Sequence, residues 1–191
     1  VQAQAQPGSG KTAAYALPLL HALASLPMGG YRRQLRALVL VPTRELAQQV
    51  GGLFNALTQN LQPAPRIALL YGGVSINPQL MALRGGADIV VATPGRLLDV
   101  VDHNGLQLET VRQLVLDEAD RLLDLGFSDE LKRVLDLLPA RRQNLLFSAT
   151  YPAAVQGLAD ALLREPVRIR IDAQQLPPSV IEQQAIAVDQ N

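Results

Sequence analysis

Ala5-Gln6-Pro7-Gly8-Ser9-Gly10-Lys11-Thr12 is the stretch on which the reading of this chain turns. It lies between a short β-type run, Val1–Ala5, and a segment of helical period, Lys11–Leu26, so the order is strand, turn, helix N-terminus. Gly8 and Gly10 permit backbone angles that set successive N–H groups around a phosphate. Lys11 can then reach the β- and γ-phosphates of a nucleotide, the Thr12 hydroxyl can join a magnesium shell, and the helix adds its positive dipole end. The expected nucleotide-binding residues are Gln6, Gly8, Ser9, Gly10, Lys11 and Thr12. Alanine stands where the pattern usually has its first glycine, and Pro7 gives up one N–H, which is tolerable if the phosphate-facing amides begin at Gly8. The competing reading, a plain Gly-Ser turn before a helix, is disfavoured by the strand that precedes it.

Outward from this loop, short apolar runs alternate with longer segments of helical period. The runs Leu38–Val41, Ile67–Tyr71, Ile89–Ala92, Leu114–Leu116, Asn144–Phe147 and Val167–Ile171 are bounded by Gly, Pro, Asp or Thr, as expected of strands buried on both faces. Helical period is clearest after Thr43, where Leu46, Val50, Leu53, Phe54, Leu57 and Leu61 make one core stripe. Gln79–Leu83, Gly95–Asp102, Asp129–Leu138 and Ala153–Leu163 are the other helix candidates. The alternation predicts an α/β fold with a mostly parallel twisted β-sheet and helices on both faces.

Composition narrows the function classes. At 191 residues, 48% hydrophobic and 18% charged, the chain reads as one globular domain and not as a disordered segment. Basic and acidic residues balance at 17 each, so bulk charge lends no support to polyanion binding and any nucleic acid must meet a local surface. The absence of cysteine excludes a disulfide framework and a thiolate zinc site, and is compatible with a cytoplasmic setting. No apolar run approaches the roughly 20 residues that span a membrane.

A second chemical signal lies where Leu114-Val115-Leu116 runs straight into Asp117-Glu118-Ala119-Asp120. A buried strand that delivers carboxylates at its C-terminal end places them in the crevice where open α/β sheets bind ligands. Asp117 is suited to hold magnesium and Glu118 to orient and deprotonate the water that attacks a γ-phosphate, which with Lys11 gives the expected catalytic set. A solvated acidic helix start explains the same residues less well beside a phosphate loop.

This combination resembles the DEAD-box family of RNA helicases over about Val1 to Ile171, and further motifs occur in the family's order. They are Pro42-Thr43-Arg44-Glu45-Leu46-Ala47, the paired Gly72-Gly73, Thr93-Pro94-Gly95-Arg96 and Ser148-Ala149-Thr150. The segment Gly72–Asp99, with Asn77-Pro78-Gln79 and Leu83-Arg84-Gly85-Gly86, is most similar to the bacterial RhlE-type branch. The resemblance implies a RecA-like P-loop domain that uses ATP and Mg2+ and couples hydrolysis to sequence-independent RNA unwinding or remodelling of RNA–protein particles.

Val41, Ala92, Leu116 and Phe147 each end an apolar run just before a motif, so the motifs are expected along one rim of the sheet. Thr43 and Thr93 precede helices and can cap them or bind backbone phosphates, while Arg44 and Arg96 add charge-assisted contacts or form exposed ion pairs. The expected RNA-binding residues are Pro42, Thr43, Arg44, Gly72, Gly73, Thr93, Pro94, Gly95 and Arg96, with preference for RNA resting on the 2′-hydroxyl as the resemblance implies. The resemblance also implies that Ser148 and Thr150 bond within the acidic motif, with Asp120 as the partner that couples nucleotide state to RNA grip. His21 and His103 have no motif partners and read as structural or exposed, and Asp99 and Asp102 as a solvated helix face.

Residues 1–172 are expected to be the ATP-binding domain, lacking the family's upstream adenine-recognition motif. Residues 173–179, with Pro177 and Pro178, read as a linker, and residues 180–191 as the start of a second helicase domain. Without that domain's arginines, the expectation is weak nucleotide binding, negligible hydrolysis and no unwinding. Two rival readings are a DNA-directed helicase or translocase with the same core, and a nucleotide-gated RNA clamp or scaffold without unwinding activity. The spelling of the acidic and Pro42–Ala47 motifs opposes the first, and the intact catalytic positions oppose the second.

Overall fold

Every apolar run becomes a strand in the computed structural model, which describes residues 1–6, 8–24 and 33–171. The strands are β1 (Gln2–Gln4), β2 (Ala37–Leu40), β3 (Ile67–Leu70), β4 (Ile89–Ala92), β5 (Gln113–Leu116), β6 (Gln143–Ser148) and β7 (Arg168–Arg170). Between them lie α1 (Lys11–Ala24), α2 (Arg44–Thr58), α3 (Asn77–Ala82), α4 (Pro94–Asp102), α5 (Ala119–Asp124), α6 (Ser128–Leu137) and α7 (Ala153–Leu162). One sheet takes all the strands in the order β3-β4-β2-β5-β6-β1-β7, with every pairing parallel. The expected linker at 173–179, the second-domain start at 180–191, and the last two residues of the Lys11–Leu26 helix lie outside the described residues.

Alternation along the strands sorts their side chains into two cores, because successive residues face opposite sides of the sheet. Ala37, Val39 and Val41 pack with Tyr15, Leu19, Val50 and Phe54 of α1 and α2. Leu38, Leu40, Leu114 and Leu116 pack with Leu97, Leu122, Val134 and Ala159 of α4 to α7. Both faces are therefore covered, and β2 and β4 are buried along their whole length. Helix α2 sits so close to the sheet that a Cβ on Gly51 would collide with the Leu69 side chain.

Three expectations need correction. The stripe after Thr43 was expected to run to Leu61, but α2 ends at Thr58 and Leu61 is 43% exposed. Thr58 turns its hydroxyl back onto the Phe54 carbonyl at 2.8 Å, and its own carbonyl accepts the Leu61 N–H at 3.0 Å, so the chain leaves the helical path while the apolar spacing continues by coincidence. The run Val167–Ile171 was expected to be buried on both faces. Instead β7 is an edge strand paired only with β1, and Ile169 is 46% exposed. Helix α5 was not anticipated, since its six residues are too few to display a period.

The fold makes one energetic demand on the strand that delivers the acidic segment. Replacing the fully buried Leu116 with alanine should destabilise the domain by about 2–5 kcal/mol, because the covered faces of the sheet cannot collapse into the void. Urea unfolding of the two chains side by side measures this.

Candidate active site

Parallel strands in matched register bring their C-terminal ends to one rim. Leu40 is level with Ala92 on one side and Leu116 on the other, Leu116 is level with Leu146, and Gln4 is level with Ser148. Strand order then divides the rim. The glycine-rich loop, Ser148–Thr150 and the acidic segment come after β1, β6 and β5, whereas Pro42–Arg44, Thr93–Arg96 and Gly72-Gly73 come after β2, β4 and β3.

In the first half, Gly10 has φ +85 and no atom within 4 Å of where a Cβ would stand, leaving open backbone on the loop. The Lys11 side chain is buried, and its Nζ donates to the Ala5 carbonyl at 2.8 Å, so the ammonium folds over the loop toward the end of β1. Tyr15 lies one turn further along α1 on the same face. Its fully buried phenol donates to Asp117 Oδ2 at 2.9 Å. Tyr15 thereby ties the first turns of α1, which begin at Lys11, to the end of β5, and Asp117, 2% exposed, takes a second donor from the Glu118 N–H on Oδ1 at 2.9 Å.

Burial pushes the Asp117 carboxyl above its ordinary 3.8, although the Tyr15 bond and the Lys11 charge pull it back. The same burial, with the Asp117 charge, holds the Tyr15 phenol well above 10, so it remains a donor at neutral pH. Glu118 adopts a left-handed conformation, φ 49 and ψ 54, which costs roughly 1 kcal/mol for a residue with a side chain. Its carboxylate accepts from Arg121 Nη1 at 2.9 Å. No group of three acidic, histidine or cysteine side chains able to hold a metal occurs among the described residues. A magnesium ion would therefore draw most of its ligands from phosphates and water, as is usual for that ion. A sealed carboxylate suits such a cation, because the charge would relieve the desolvation of Asp117.

Asp120 ties the acidic segment to β6. Its Oδ2 accepts both the Thr150 N–H and the Thr150 hydroxyl at 2.9 Å, its Oδ1 accepts the Arg121 N–H at 3.1 Å, and its own N–H donates to Ser148 Oγ at 3.1 Å. Burial works to raise the Asp120 carboxyl, but the donors from Thr150, Ser148 and Arg121 outweigh it and hold the group below 3.8.

In the second half, Thr43 Oγ1 caps α2 by accepting the Leu46 N–H at 3.2 Å. Thr93 makes no capping bond, and Pro42, Thr93 and Pro94 are buried. Gly72 and Gly73 are exposed, and Gly95 is half-buried. Arg44 is exposed, with its guanidinium 5.2 Å from the centre of the Tyr71 ring. Arg96 lies otherwise: its side chain is only 10% exposed, Nη2 donates to the Val74 carbonyl at 2.8 Å, Nε is 3.4 Å from Asp99 Oδ2, and Nη1 has no hydrogen-bond partner among the described residues. Asp99 and Asp102 are solvated as expected, although each faces an arginine, Arg96 and Arg133. His103 bonds the Asp99 carbonyl, and His21 is exposed. Two participants were not anticipated. Tyr15 had a faint signal, an aromatic residue four positions after Lys11, whereas the contacts of Gln79 with Tyr71 left none.

The profile of the family described as DEAD/DEAH box helicase matches residues 1–158. The chain belongs to this family. Among curated relatives, it is 47% identical over 186 residues to the ATP-dependent RNA helicase DbpA of Escherichia coli, covering 96% of this chain and 39% of DbpA. It is 43% identical over 182 residues to the RNA helicase CrhR of Synechocystis, covering 95% of this chain and 35% of CrhR. The chain thus spans well under half the length of these helicases. Among solved structures, the yeast DEAD-box splicing factor Prp28 superposes with a TM-score of 0.83 at 33% identity, over 90% of this chain and 41% of that one. A DEAD box protein from Methanococcus jannaschii superposes with a TM-score of 0.78 at 39% identity, over 88% and 44%. The all-parallel RecA-like domain described above is the fold these two structures share with the chain.

The two aspartates of the DEAD-box tetrad should respond oppositely to loss of charge. Asp117 has a raised pKa, so its ionisation opposes folding, a penalty absent at acid pH that grows as pH rises from the ordinary 3.8 through the folded value. Asp120 has a depressed pKa, so its charge supports folding above 3.8, and that support is lost as pH falls through the folded value. At pH 7 without nucleotide, Asp117→Asn should raise the melting temperature and Asp120→Asn should lower it. Thermal unfolding monitored by circular dichroism decides the sign of each.

Proposed function

We propose that this chain is the ATP-binding domain of an RNA-stimulated ATPase that couples hydrolysis to local, sequence-independent opening of RNA duplexes or remodelling of RNA–protein particles. The observation that carries the reading is the single rim, where a glycine-rich loop and a sealed aspartate converge beside an open half bearing Arg44 and Gly72-Gly73. The names of the relatives, ATP-dependent RNA helicases among them, support it.

In this reading ATP lies over Gln6 and Gly8–Thr12, with Lys11 leaving the Ala5 carbonyl for the β- and γ-phosphates. Thr12 and Asp117 would hold Mg2+, which would offset phosphate charge. Glu118 leaves Arg121 to orient and deprotonate the attacking water. Pro42, Thr43, Arg44, Gly72, Gly73, Thr93, Pro94, Gly95 and Arg96 form the RNA side, where contacts go to the sugar-phosphate backbone and none reads a base edge. Asp120, Ser148 and Thr150 couple the two halves. Residues 1–172 make up this domain, 173–179 a linker and 180–191 the beginning of a second RecA-like domain whose arginines complete the catalytic site. The 191 residues alone then bind nucleotide weakly and turn it over negligibly. No helix among the described residues is long and apolar enough to cross a membrane, and a cytoplasmic setting fits the substrate.

Two substitutions in the intact protein separate the roles. Glu118→Gln should leave Mg-nucleotide and RNA affinities within a few-fold of the parent while turnover falls by at least about 100-fold, since a general base is lost and the ligand at Asp117 remains. Lys11→Ala should weaken nucleotide binding itself. Equal losses of nucleotide affinity in both variants contradict the assignment, and ATPase stimulation by single-stranded DNA as strong as by RNA of the same length contradicts the substrate.

A further inference from the structure

Most buried polar side chains among the described residues already have an account. Lys11, Thr93, Asp117, Asp120 and Ser148 belong to the rim, Thr58 bonds its own helix, and Asp88 takes Arg33 and the Arg66 N–H. Gln79 is left. It is 9% exposed and lies on α3, and both ends of its amide meet one residue: Oε1 accepts the Tyr71 N–H at 3.1 Å and Nε2 donates to the Tyr71 carbonyl at 3.1 Å.

The topology explains why this pair of bonds is available. β3 is an edge strand with β4 on one side only. The Leu70 carbonyl turns toward β4 and accepts the Thr93 N–H at 2.9 Å, so the N–H and C=O of the next residue, Tyr71, point to the open side. Gln79 supplies there what a neighbouring strand would supply, extending the ordered ladder by one residue to the brink of Gly72-Gly73. A fixed Tyr71 bears directly on the nucleic-acid half. The Tyr71 ring lies 5.2 Å beneath the Arg44 guanidinium, and its hydroxyl accepts from Gln48 Nε2 at 3.3 Å. Past the turn, where Gly73 has φ +76, the Val74 carbonyl is held by Arg96.

We propose that Gln79 is a positioning residue for RNA binding: its amide fixes the Tyr71 backbone, and through it the Gly72-Gly73 turn and the Arg44 guanidinium, in the arrangement that accepts a backbone phosphate. The inference rests on the reading of this half of the rim as the RNA side. It requires an amide of this length. Asparagine is one methylene too short to span both groups, and leucine leaves the Tyr71 N–H and C=O without side-chain partners. An ionised glutamate can accept the N–H but sets an oxygen against the Tyr71 carbonyl, whereas a protonated glutamic acid restores the donor.

The test uses the intact protein with single-stranded RNA and a non-hydrolysable ATP analogue, comparing the parent, Gln79→Glu, Gln79→Leu and Arg44→Ala. Gln79→Leu and Gln79→Glu should each weaken RNA binding by about tenfold at pH 8, the effect of stranding a backbone pair, with Mg-ADP affinity unchanged within twofold. As pH falls from 8 to 5.5, the deficit of Gln79→Glu relative to the parent should shrink while that of Gln79→Leu stays constant, a recovery that a general packing role does not produce. RNA affinities within twofold of the parent in both variants overturn the proposal. So does an equal loss of RNA and nucleotide binding, which marks Gln79 as merely structural. If instead the parent binds no RNA, or Arg44→Ala binds it as tightly as the parent, the reading of the rim fails first and the proposal falls with it.

Discussion

A carboxylate sealed from water at the end of a strand is stable only if donors and positive charge surround it, and Asp117 is such a group. Its oxygens are met by the Tyr15 phenol from α1 and the Glu118 N–H, and the Lys11 charge offsets part of the cost of burial. The remainder leaves a site predisposed to a cation. The position of β1 and α1 relative to β5, with β6 between the strands, reflects the same need, because the helix that starts at the phosphate loop must bring its first turns over the end of β5.

The rim divides into two chemistries because sheet order and chain order differ. The chain runs from β1 to β2 by crossing two strands that it has not yet built, and β5 and β6 later fill the gap. The acidic segment therefore lies between the glycine-rich loop and the half led by Thr43 and Thr93. Asp120 accepts two charge-assisted bonds from Thr150 and donates its main-chain N–H to Ser148, so the end of β6 is fastened to the segment after β5. Between the two aspartates stands the left-handed Glu118, a strained residue whose cost the surrounding bonds must cover.

Much of this was legible in the sequence because the signals are local. A run of buried strand residues met at once by Gly-Ser-Gly-Lys-Thr or Asp-Glu-Ala-Asp specifies which end of the strand carries the group, and parallel topology supplies the shared rim. The missing parts depend on tertiary neighbours. Spacing alone cannot tell that Leu61 lies past a turn, or that Ile169 sits on an uncovered edge. The charge of Arg96 gave no sign that one of its nitrogens bonds the Val74 carbonyl. The acceptor of the Tyr15 phenol lies 102 residues away, beyond the reach of any local pattern.

The central claim is that Gly10–Thr12 and Asp117–Glu118 enclose one metal–triphosphate. Paramagnetic relaxation in the isotope-labelled chain, with Mn2+ in place of Mg2+ and a saturating ATP analogue, tests it directly. Severe broadening of the amide resonances of residues 10–12 and 117–118 is expected, with distinctly weaker broadening at residues 72 and 73 on the far half of the rim. Broadening at one of the first two groups without the other, or at neither, would contradict it.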